Sequence, residues 1–468
     1  MKNIFRLLIL LLVLSTSCRP QETEVVILSL NDLHAKIDNL DKVATYVAEQ
    51  RAQHPNVLLL SAGDLFSGNP AVDYYHDKGY PIIDVMNDIR FDVSTIGNHE
   101  FDYGQTTLAQ RIAQAKFPFV CANISTDSSP LTPFKPYVFF TKSGEKICVV
   151  GLIQEHPETH VDKIKKLHFT NPIDELEKYL SLRAQSDVLV ALTHMGVQED
   201  SLLAVRYKEL DLIVGGHSHT QLDTGMLVNG VLVTQAAKYV QHIGRTTLTI
   251  RNGKVVAKRN RLVDVSQLTQ KDTLISKKIK EYNSNPELSK VVATLKNAIN
   301  NAIDIGNFFC DAVRAEINVD IAFQNRFGVR IDTLYSGAVT VSDLYRADPF
   351  GNEVIRFEMT GAEVAKFITD NYNTFQRLDL CASGISYKIF VREHQVESVS
   401  VIMANGQPLD GKKKYSVAMN SYMATAYRLP VKDKGVGVGK STVEATIDYL
   451  SKHKAIAYPR QIRGVIKK

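Results

Sequence analysis

Seven side chains of metal-binding type stand in five short clusters, and each cluster follows a short apolar run. Histidine, aspartate and asparagine offer the imidazole, carboxylate and amide donors that Zn, Mn and Fe ions accept. A pair of such cations needs a shared carboxylate and a mixture of nitrogen and oxygen ligands, and it can activate water for attack on a phosphate ester. The candidate ligands are Asp32, His34, Asp64, Asn98, His194, His217 and His219.

The elements that must position these ligands are the strands of a layered α/β domain. The backbone is rigid up to the last residue of a strand, and glycines such as Gly63 and Gly97 permit tight turns directly after it. Strand ends at one edge can therefore direct several ligands at one point. The apolar runs cover residues 25–30, 57–60, 93–96, 188–192 and 212–214, and helical periodicity covers residues 40–53 and 176–183.

The clusters occur in sequence blocks that resemble a known family. In chain order the blocks read NDLHA, SAGDLFSGNP, GNHEFDYG, LTHMG and GGHSH. They resemble the calcineurin-like metallophosphoesterases, and within these the 5'-nucleotidase group. The resemblance implies an α/β fold, namely a layered α/β/β/α metallophosphatase sandwich followed by a C-terminal α+β substrate-binding domain.

The resemblance also implies two divalent metal ions, Zn, Mn or Fe, with the ligands divided between them. Asp64 would bridge the two ions. One ion would be held by Asp32, His34, Asp64 and His219, and the other by Asp64, Asn98, His194 and His217.

His99 follows the expected ligand Asn98 and matches the family histidine that faces the substrate phosphate, with Asp102 as the carboxylate that orients it. An imidazolium steadied by a carboxylate can neutralise phosphoryl oxygens or protonate a leaving alkoxide. The nucleophile implied by the family is a metal-bound hydroxide, available near neutral pH because cations lower the pKa of bound water. A capping or packing role is the alternative for His99.

Substrate choice is expected in a C-terminal domain over residues 304–468, which follows a helical connector over residues 266–303 and a metallophosphatase domain over residues 18–265. An arginine suits bidentate contact with phosphate, and two aromatic rings would stack on a nucleotide base. Core packing is the alternative for either aromatic residue. The positions that match the family's substrate contacts are Asn325, Arg330, Phe350, Asn352 and Tyr422.

Two departures from the family pattern fall near this pocket. Phe327 stands where the family has a loop glycine, and residues 425–440 replace an expected Gly-Gly-Asp-Gly loop. Arg326 is either an added phosphate contact or a solvated loop residue. The sequence therefore leaves the recognition of base and ribose undecided.

The N-terminus has the pattern of an export signal. Lys2 and Arg6 precede the apolar residues 7–14, the small residues 15–17 and then Cys18. This order resembles the lipobox of bacterial lipoproteins, in which residues 1–17 would be removed and Cys18 would become the acylated membrane anchor. A plain secretory signal or a membrane span is the alternative, although the apolar run is shorter than the roughly 20 residues that a span needs. We expect an exported cell-envelope lipoprotein that faces the periplasm or the cell surface.

Composition narrows the functional classes further. A chain of 468 residues favours two domains. Its formal net charge of +5 is spread among acidic neighbours, so no nucleic-acid partner is expected, and no protein partner is evident. The function predicted from the sequence is hydrolysis of 5'-nucleotides to nucleosides and phosphate. Hydrolysis of a nucleotide sugar or another small phosphoester, or ligand binding without catalysis, is the alternative.

Overall fold

The structure is a computed structural model that describes residues 22–127, 129–157, 159, 163–433 and 435–467. The strands of the first domain are β1 (Glu22–Leu30), β2 (Val57–Ser61), β3 (Val93–Thr95), β4 (Phe119–Val120), β5 (Ile124–Ser125), β6 (Tyr137–Lys142), β7 (Glu145–Ile153), β8 (His168–Phe169), β9 (Val188–His194), β10 (Leu212–Val214), β11 (Met226–Val228), β12 (Val231–Thr234), β13 (His242–Arg251) and β14 (Lys254–Asp264). The helices of this part of the chain are α1 (Leu40–Gln53), α2 (Pro70–Asp73), α3 (Tyr80–Ile89), α4 (Gln105–Gln114), α5 (Pro172–Glu177), α6 (Val197–Arg206) and α7 (Thr273–Asn283).

Two six-stranded sheets lie face to face in the first domain, in the orders β14-β13-β1-β2-β3-β4 and β11-β12-β10-β9-β7-β6. A fully buried aliphatic layer that includes Ile27, Leu60 and Val190 fills the space between them. Helices α1, α3 and α4 pack on the outer face of the first sheet, and α5 and α6 pack on the outer face of the second. These layers confirm the predicted α/β/β/α sandwich.

Parallel pairing brings the ligand-bearing strand ends to one edge of each sheet. In the first sheet, Leu30 pairs with Ser61, and Ser61 pairs with Ser94. In the second sheet, Leu192 of β9 pairs with Val214 of β10. The polar clusters that follow these strands therefore begin at nearly the same level, as the sequence predicts.

Helix α1 covers the predicted residues 40–53, but the helix predicted over residues 176–183 has different bounds. Helix α5 ends at Glu177, and a separate 3₁₀ segment covers Leu180–Gln185. The helix begins earlier because Pro172 occupies its first turn and the Asn171 side chain accepts the N–H groups of the next residues. The cap at Asn171 thus determines where the helix begins, although the apolar spacing favoured a later start.

The second domain is built from short sheets and longer helices. A five-stranded sheet in the order β21-β17-β24-β20-β25 forms its centre, and this arrangement confirms the α+β prediction. The strands are β15 (Val291–Leu295), β16 (Ile299–Asn300), β17 (Ile321–Asn325), β18 (Thr333–Leu334), β19 (Gly337–Thr340), β20 (Glu353–Thr360), β21 (Leu380–Ser383), β22 (Ile385–Arg392), β23 (Gln395–Met403), β24 (Lys414–Asn420), β25 (Val436–Ser441), β26 (Ala455–Ile456) and β27 (Gly464–Lys467). The helices are α8 (Pro286–Ser289), α9 (Ala302–Ile317), α10 (Val341–Ala347), α11 (Gly361–Phe375), α12 (Ser421–Ala426) and α13 (Thr442–His453).

The segment predicted as a helical connector, residues 266–303, is divided between the two domains. Ile275 and Ile279 of α7 are buried in the helix layer of the first domain. Val292 and Leu295 of strand β15 are buried in the second domain. Within this segment, α7, α8 and the start of α9 are helical, whereas β15 and β16 are strands, so the predicted helical character holds for only part of it.

We expect Gly151→Ala to destabilise the sandwich. The Gly151 carbonyl accepts the N–H of Ala122 at 2.8 Å, and an added Cβ would overlap the carbonyl oxygen of Val120 in the opposite sheet. Overpacking of this kind costs about 1–3 kcal/mol, which denaturant unfolding would measure. Gly411→Ala is the control, because the nearest atom to its added Cβ is 3.9 Å away. Equal stability of the two variants would contradict the prediction.

Candidate metal centre and active site

The turns that carry five of the predicted ligands adopt the left-handed backbone region. Non-glycine residues adopt this conformation at an energetic cost, and such residues concentrate at functional sites. The rigid strands that precede the turns hold them in place. The φ angles are 52° at Asp32, 46° at His34, 54° at Asp64, 76° at His217 and 55° at His219.

Asp32, His34 and His219 form the first group of converging donor atoms. The Nε2 atoms of His34 and His219 are 3.1 Å apart, and Nε2 of His219 is 3.3 Å from Oδ1 of Asp32. The Nδ1–H of His34 donates to the carbonyl of Ser67 at 3.2 Å, so Nε2 of His34 carries a lone pair. Ligands that each lie about 2.1 Å from one cation are spaced in this way.

His194 faces Asp64 at the centre of the second group. Its Nε2 is buried and lies 3.1 Å from Oδ2 of Asp64. Its Nδ1–H donates to the carbonyl of Ala62 at 2.7 Å. Burial lowers the pKa of His194, but the carboxylates of Asp64 and Asp32 outweigh this effect and raise the pKa to about 10. The position therefore favours a positive charge, which a proton or a metal ion can supply.

Asn98 and His217 complete the second group. Oδ1 of Asn98 is 3.1 Å from Nδ1 of His217, and the backbone N–H of His217 donates to the Asp32 carboxylate at 3.1 Å. The rings of His194 and His217 have centroids 5.3 Å apart. The structure thus brings all seven predicted ligands to one site.

Asp64 lies between the two groups. Its Oδ2 is 3.1 Å from Nε2 of His194 and 3.8 Å from Nε2 of His34. Buried carboxylates and imidazole lone pairs that converge in this way are compensated only by positive charge. The residues therefore fit divalent metal ions, and the donor types suit Zn, Mn and Fe.

His99 and Asp102 form the predicted dyad. The Nδ1–H of His99 donates to Oδ2 of Asp102 at 2.7 Å, and the backbone N–H of His99 donates to Oδ1 of Asp64 at 2.9 Å. Burial lowers the pKa of His99, yet the carboxylates of Asp102 and Asp64 raise it above its ordinary value. The bond to Asp102 fixes the ring and leaves Nε2 directed at the second domain.

Arg330 and Phe350 of the second domain reach this dyad. Nη2 of Arg330 lies 3.2 Å from Nε2 of His99, and Cζ of Arg330 lies 5.1 Å from the centre of the Phe350 ring. The Phe350 ring stacks on the His99 imidazole with a centroid distance of 5.6 Å. Nε of Arg330 is buried and has no hydrogen-bond partner among the residues that the structure describes. A guanidinium with an unused donor beside the dyad suits an anion such as phosphate.

Asn325, Asn352 and Tyr422 lie at one edge of the five-stranded sheet. Oδ1 of Asn325 accepts from Nδ2 of Asn420 at 2.8 Å. Oδ1 of Asn352 accepts from the hydroxyl of Ser421 at 3.2 Å. The two asparagine amides therefore tie neighbouring strand ends together, while base stacking by Tyr422 stays a prediction.

Glu100 contributes to the site although the sequence analysis did not select it. Its carboxylate is fully buried and accepts the backbone N–H groups of Asp64 at 3.0 Å, Leu65 at 2.6 Å and Gly97 at 2.6 Å. Burial, together with the Asp64 carboxylate, raises the pKa of Glu100 to about 7. Glu100 thus fixes the two turns that carry Asp64 and Asn98. Its position in the block GNHEFDYG was the available sequence signal.

Comparison with known proteins agrees with this geometry. Residues 25–221 match the calcineurin-like phosphoesterase family, and residues 286–428 match the 5'-nucleotidase C-terminal domain. Endonuclease YhcR of Bacillus subtilis is 29% identical over an alignment that covers 95% of this chain and 41% of YhcR. A 5'-nucleotidase of Diplobatis ommata is 27% identical, with 86% of this chain and 82% of that protein covered. The chain thus spans less than half of YhcR and most of the Diplobatis protein.

A solved structure resembles the fold of both domains. The crystal structure of a 5'-nucleotidase precursor from Thermus thermophilus matches with a TM-score of 0.84 and 24% sequence identity. The match covers 95% of this chain and 99% of the Thermus chain. The two-domain architecture is therefore similar from end to end.

We expect Glu100→Gln to weaken metal binding. The glutamine amide offers one acceptor oxygen where the carboxylate offers two, so the backbone N–H groups at the turns lose a partner. Loss of a residue that orients metal ligands costs about 10–100-fold in metal affinity. Competition with a graded series of chelators, followed by measurement of the protein's metal content, would check this. Glu49→Gln on the exposed face of α1 is the control, and equal metal affinity of the two variants would refute the role of Glu100.

Proposed function

The chain belongs to the calcineurin-like phosphoesterases that carry a 5'-nucleotidase C-terminal domain, and we propose that it is a metal-dependent hydrolase that releases phosphate from 5'-nucleotides. The observation that carries this proposal is the approach of Arg330 to His99 beside Asp64, with 3.2 Å between Nη2 and Nε2. When His99 is protonated, the two groups repel unless an anion lies between them. A phosphate oxygen can accept from both groups.

Two divalent cations would be held by the seven predicted ligands, one by Asp32, His34, Asp64 and His219 and the other by Asp64, Asn98, His194 and His217. Bound divalent cations supply activation of water and neutralisation of phosphate charge. The coordination chemistry supports Zn, Mn and Fe alike, because imidazole, carboxylate and amide donors suit all three. Glu100 contributes by holding the turns on which Asp64 and Asn98 stand.

The side chains of the protein bind the phosphate and donate the proton in the proposed reaction. Hydrolysis forms a bond from a water oxygen to phosphorus and breaks the bond from phosphorus to the ester oxygen. His99 holds a proton on Nε2 and gives it to the departing ester oxygen, while Asp102 keeps the ring oriented through Nδ1. Arg330 binds the phosphate oxygens with its planar donors. The products are a nucleoside and inorganic phosphate.

The preference for nucleotides rests on the aromatic residues of the second domain. Phe350 lies against His99 and Arg330, so an aromatic face stands beside the proposed phosphate position. Tyr422 is the second ring proposed to stack on the base. The similarity to the 5'-nucleotidase of Diplobatis ommata supports the same substrate class.

We also propose that the protein is exported and attached to a membrane through a lipid on Cys18. The support is the order of basic, apolar and small residues before Cys18. Residues 1–21 lie outside the residues that the structure describes. Within the described part of the chain, no helix combines the length and the apolar character needed to cross a bilayer.

Purified mature protein loaded with Mn or Zn is expected to release phosphate from AMP and other 5'-mononucleotides. His99→Ala is expected to lower kcat by about 10²–10⁴-fold, because the leaving oxygen loses its proton donor. A phosphate-release assay across nucleoside monophosphates, nucleotide sugars and simple phosphomonoesters would measure both. His76→Ala is the control, since His76 is an exposed histidine of the same domain.

The outcomes separate the alternatives. Release confined to esters without a base would keep the metal-dependent chemistry and remove the nucleotide assignment. Absence of release from the whole panel, with metal shown to be bound, would favour a ligand-binding protein.

Arg330→Lys is expected to lower kcat/KM for AMP by about 10–100-fold, because a point charge replaces two parallel donors to phosphate. Steady-state kinetics would measure the change. Arg392→Lys on strand β22 is the control, since Arg392 pairs with Glu397. Unchanged kcat/KM in Arg330→Lys would show that Arg330 does not contact the substrate.

A further inference from the structure

A row of side chains on the second domain continues beyond the predicted base-binding residues. Strands β17 and β24 are parallel neighbours, and Ala322 pairs with Ala418. The last residues of the two strands meet, because Nδ2 of Asn420 donates to Oδ1 of Asn325 at 2.8 Å. The residues that follow the two strands therefore emerge side by side at one edge of the sheet.

Arg377 flanks the same edge from the other side. Strand β21 is antiparallel to β17, and Leu380 pairs with Asn325, so residues before β21 lie beside residues after β17. Cζ of Arg377 is 4.1 Å from the centre of the Phe327 ring, and Cζ of Arg326 is 5.7 Å from it. Two guanidinium groups thus lie on one aromatic ring.

This cluster of Arg326, Phe327 and Arg377 is open to solvent. Phe327 is 47% exposed, and both arginines are exposed. Burial therefore does not explain a large apolar side chain at a position where the family has glycine. An exposed ring flanked by cations presents a stacking face and positive charge together, which is the combination that a base with its phosphate requires.

The cluster is continuous with Tyr422 through aromatic contacts. The ring of Tyr422 is 6.0 Å from that of Tyr427, and Tyr427 is 5.2 Å from Phe375. Cζ of Arg377 is 5.8 Å from the Phe375 ring. The surface therefore runs without a break from the proposed base-stacking residue to the exposed cluster.

The order of the strands shows in which direction this surface extends from the dyad. Phe350, which stacks on His99, precedes β20, and Tyr422 follows β24. Phe327 follows β17, the next strand along, and Arg377 precedes β21 beyond it. Neighbouring strands are about 4.8 Å apart, so the row extends away from the dyad by several strand spacings. When the 5'-phosphate lies at the dyad, a group attached to the opposite side of the ribose would extend along this row of side chains.

We propose that Arg326, Phe327 and Arg377 form an outer subsite for a second phosphate and a second base, so that 5'-phosphorylated dinucleotides are substrates. This rests on the proposed hydrolysis of 5'-phosphate esters. The arginines bind the phosphodiester through charge-assisted hydrogen bonds, and Phe327 stacks on the second base. Water adds to the terminal phosphorus, the bond from phosphorus to the 5'-oxygen breaks, and that oxygen leaves as a hydroxyl.

The test is titration calorimetry on the full mature chain loaded with Mn and carrying His99→Ala to slow turnover. The three ligands are AMP, adenosine 3',5'-bisphosphate and the 5'-phosphorylated dinucleotide pApA. We expect the bisphosphate to bind more tightly than AMP through the arginines, and pApA to bind about ten-fold more tightly than the bisphosphate, because one base stack contributes this much. The additional substitution Phe327→Ala should remove the difference in affinity between pApA and the bisphosphate. The additional substitution Arg377→Ala should remove the difference in affinity between the bisphosphate and AMP.

Tyr335→Ala is the matched control, since Tyr335 is an exposed aromatic residue, 76% exposed, in the same domain. It should leave all three affinities unchanged, and Phe327→Trp should restore the gain of pApA. Equal affinity of AMP and pApA, or a gain that survives Phe327→Ala, would overturn the subsite, and so would failure of all three ligands to bind. Phosphate release from AMP by the otherwise unaltered enzyme tests the proposed function separately, so the two failures are distinguishable.

Discussion

Buried negative charge at the ends of two sheets is the constraint on which the rest of the structure depends. Asp32, Asp64 and Glu100 are almost fully buried. A carboxylate in such a place is tolerated only with several hydrogen-bond donors or with opposite charge beside it. Glu100 has three backbone N–H groups, whereas Asp32 and Asp64 face imidazole rings. The histidines that face Asp32 and Asp64, and the turns that hold the backbone donors of Glu100, meet this requirement.

The sandwich provides the rigidity that such a site needs. Left-handed turns at ligand residues cost on the order of 1–3 kcal/mol each, so the surrounding structure must hold them. The fully buried aliphatic layer between the sheets does so from below. Support also comes from behind His194, where the hydroxyl of its neighbour Thr193 donates to the buried carboxylate of Asp200 at 2.6 Å. The packed core thus holds the donor atoms of the site in fixed positions.

The layered fold and the set of converging ligands could be predicted from the sequence, because each ligand follows a strand and strands are defined by local apolar runs. The block GNHEFDYG drew attention to the position of Glu100 but not to its role, since the backbone N–H groups that donate to its carboxylate meet only in the folded domain. The core that Ile275 and Ile279 join could not be predicted for a related reason, because their apolar spacing does not reveal which domain they pack against. The contact between Arg330 and His99 joins residues of two domains, and spacing along the chain carries no information about it.

Because Arg330 contacts His99, one candidate site is built from residues of both domains. In the proposed function, the metal ligands and the dyad belong to the first domain and the base-stacking residues to the second, so substitutions can change one set without changing the other. The phenylalanine at position 327 lies in the second domain. On such a scaffold, new substrate preferences could therefore arise through changes in the second domain while the metal site of the first domain stays the same. Neither domain alone would contain both the metal ligands and the proposed substrate-binding residues.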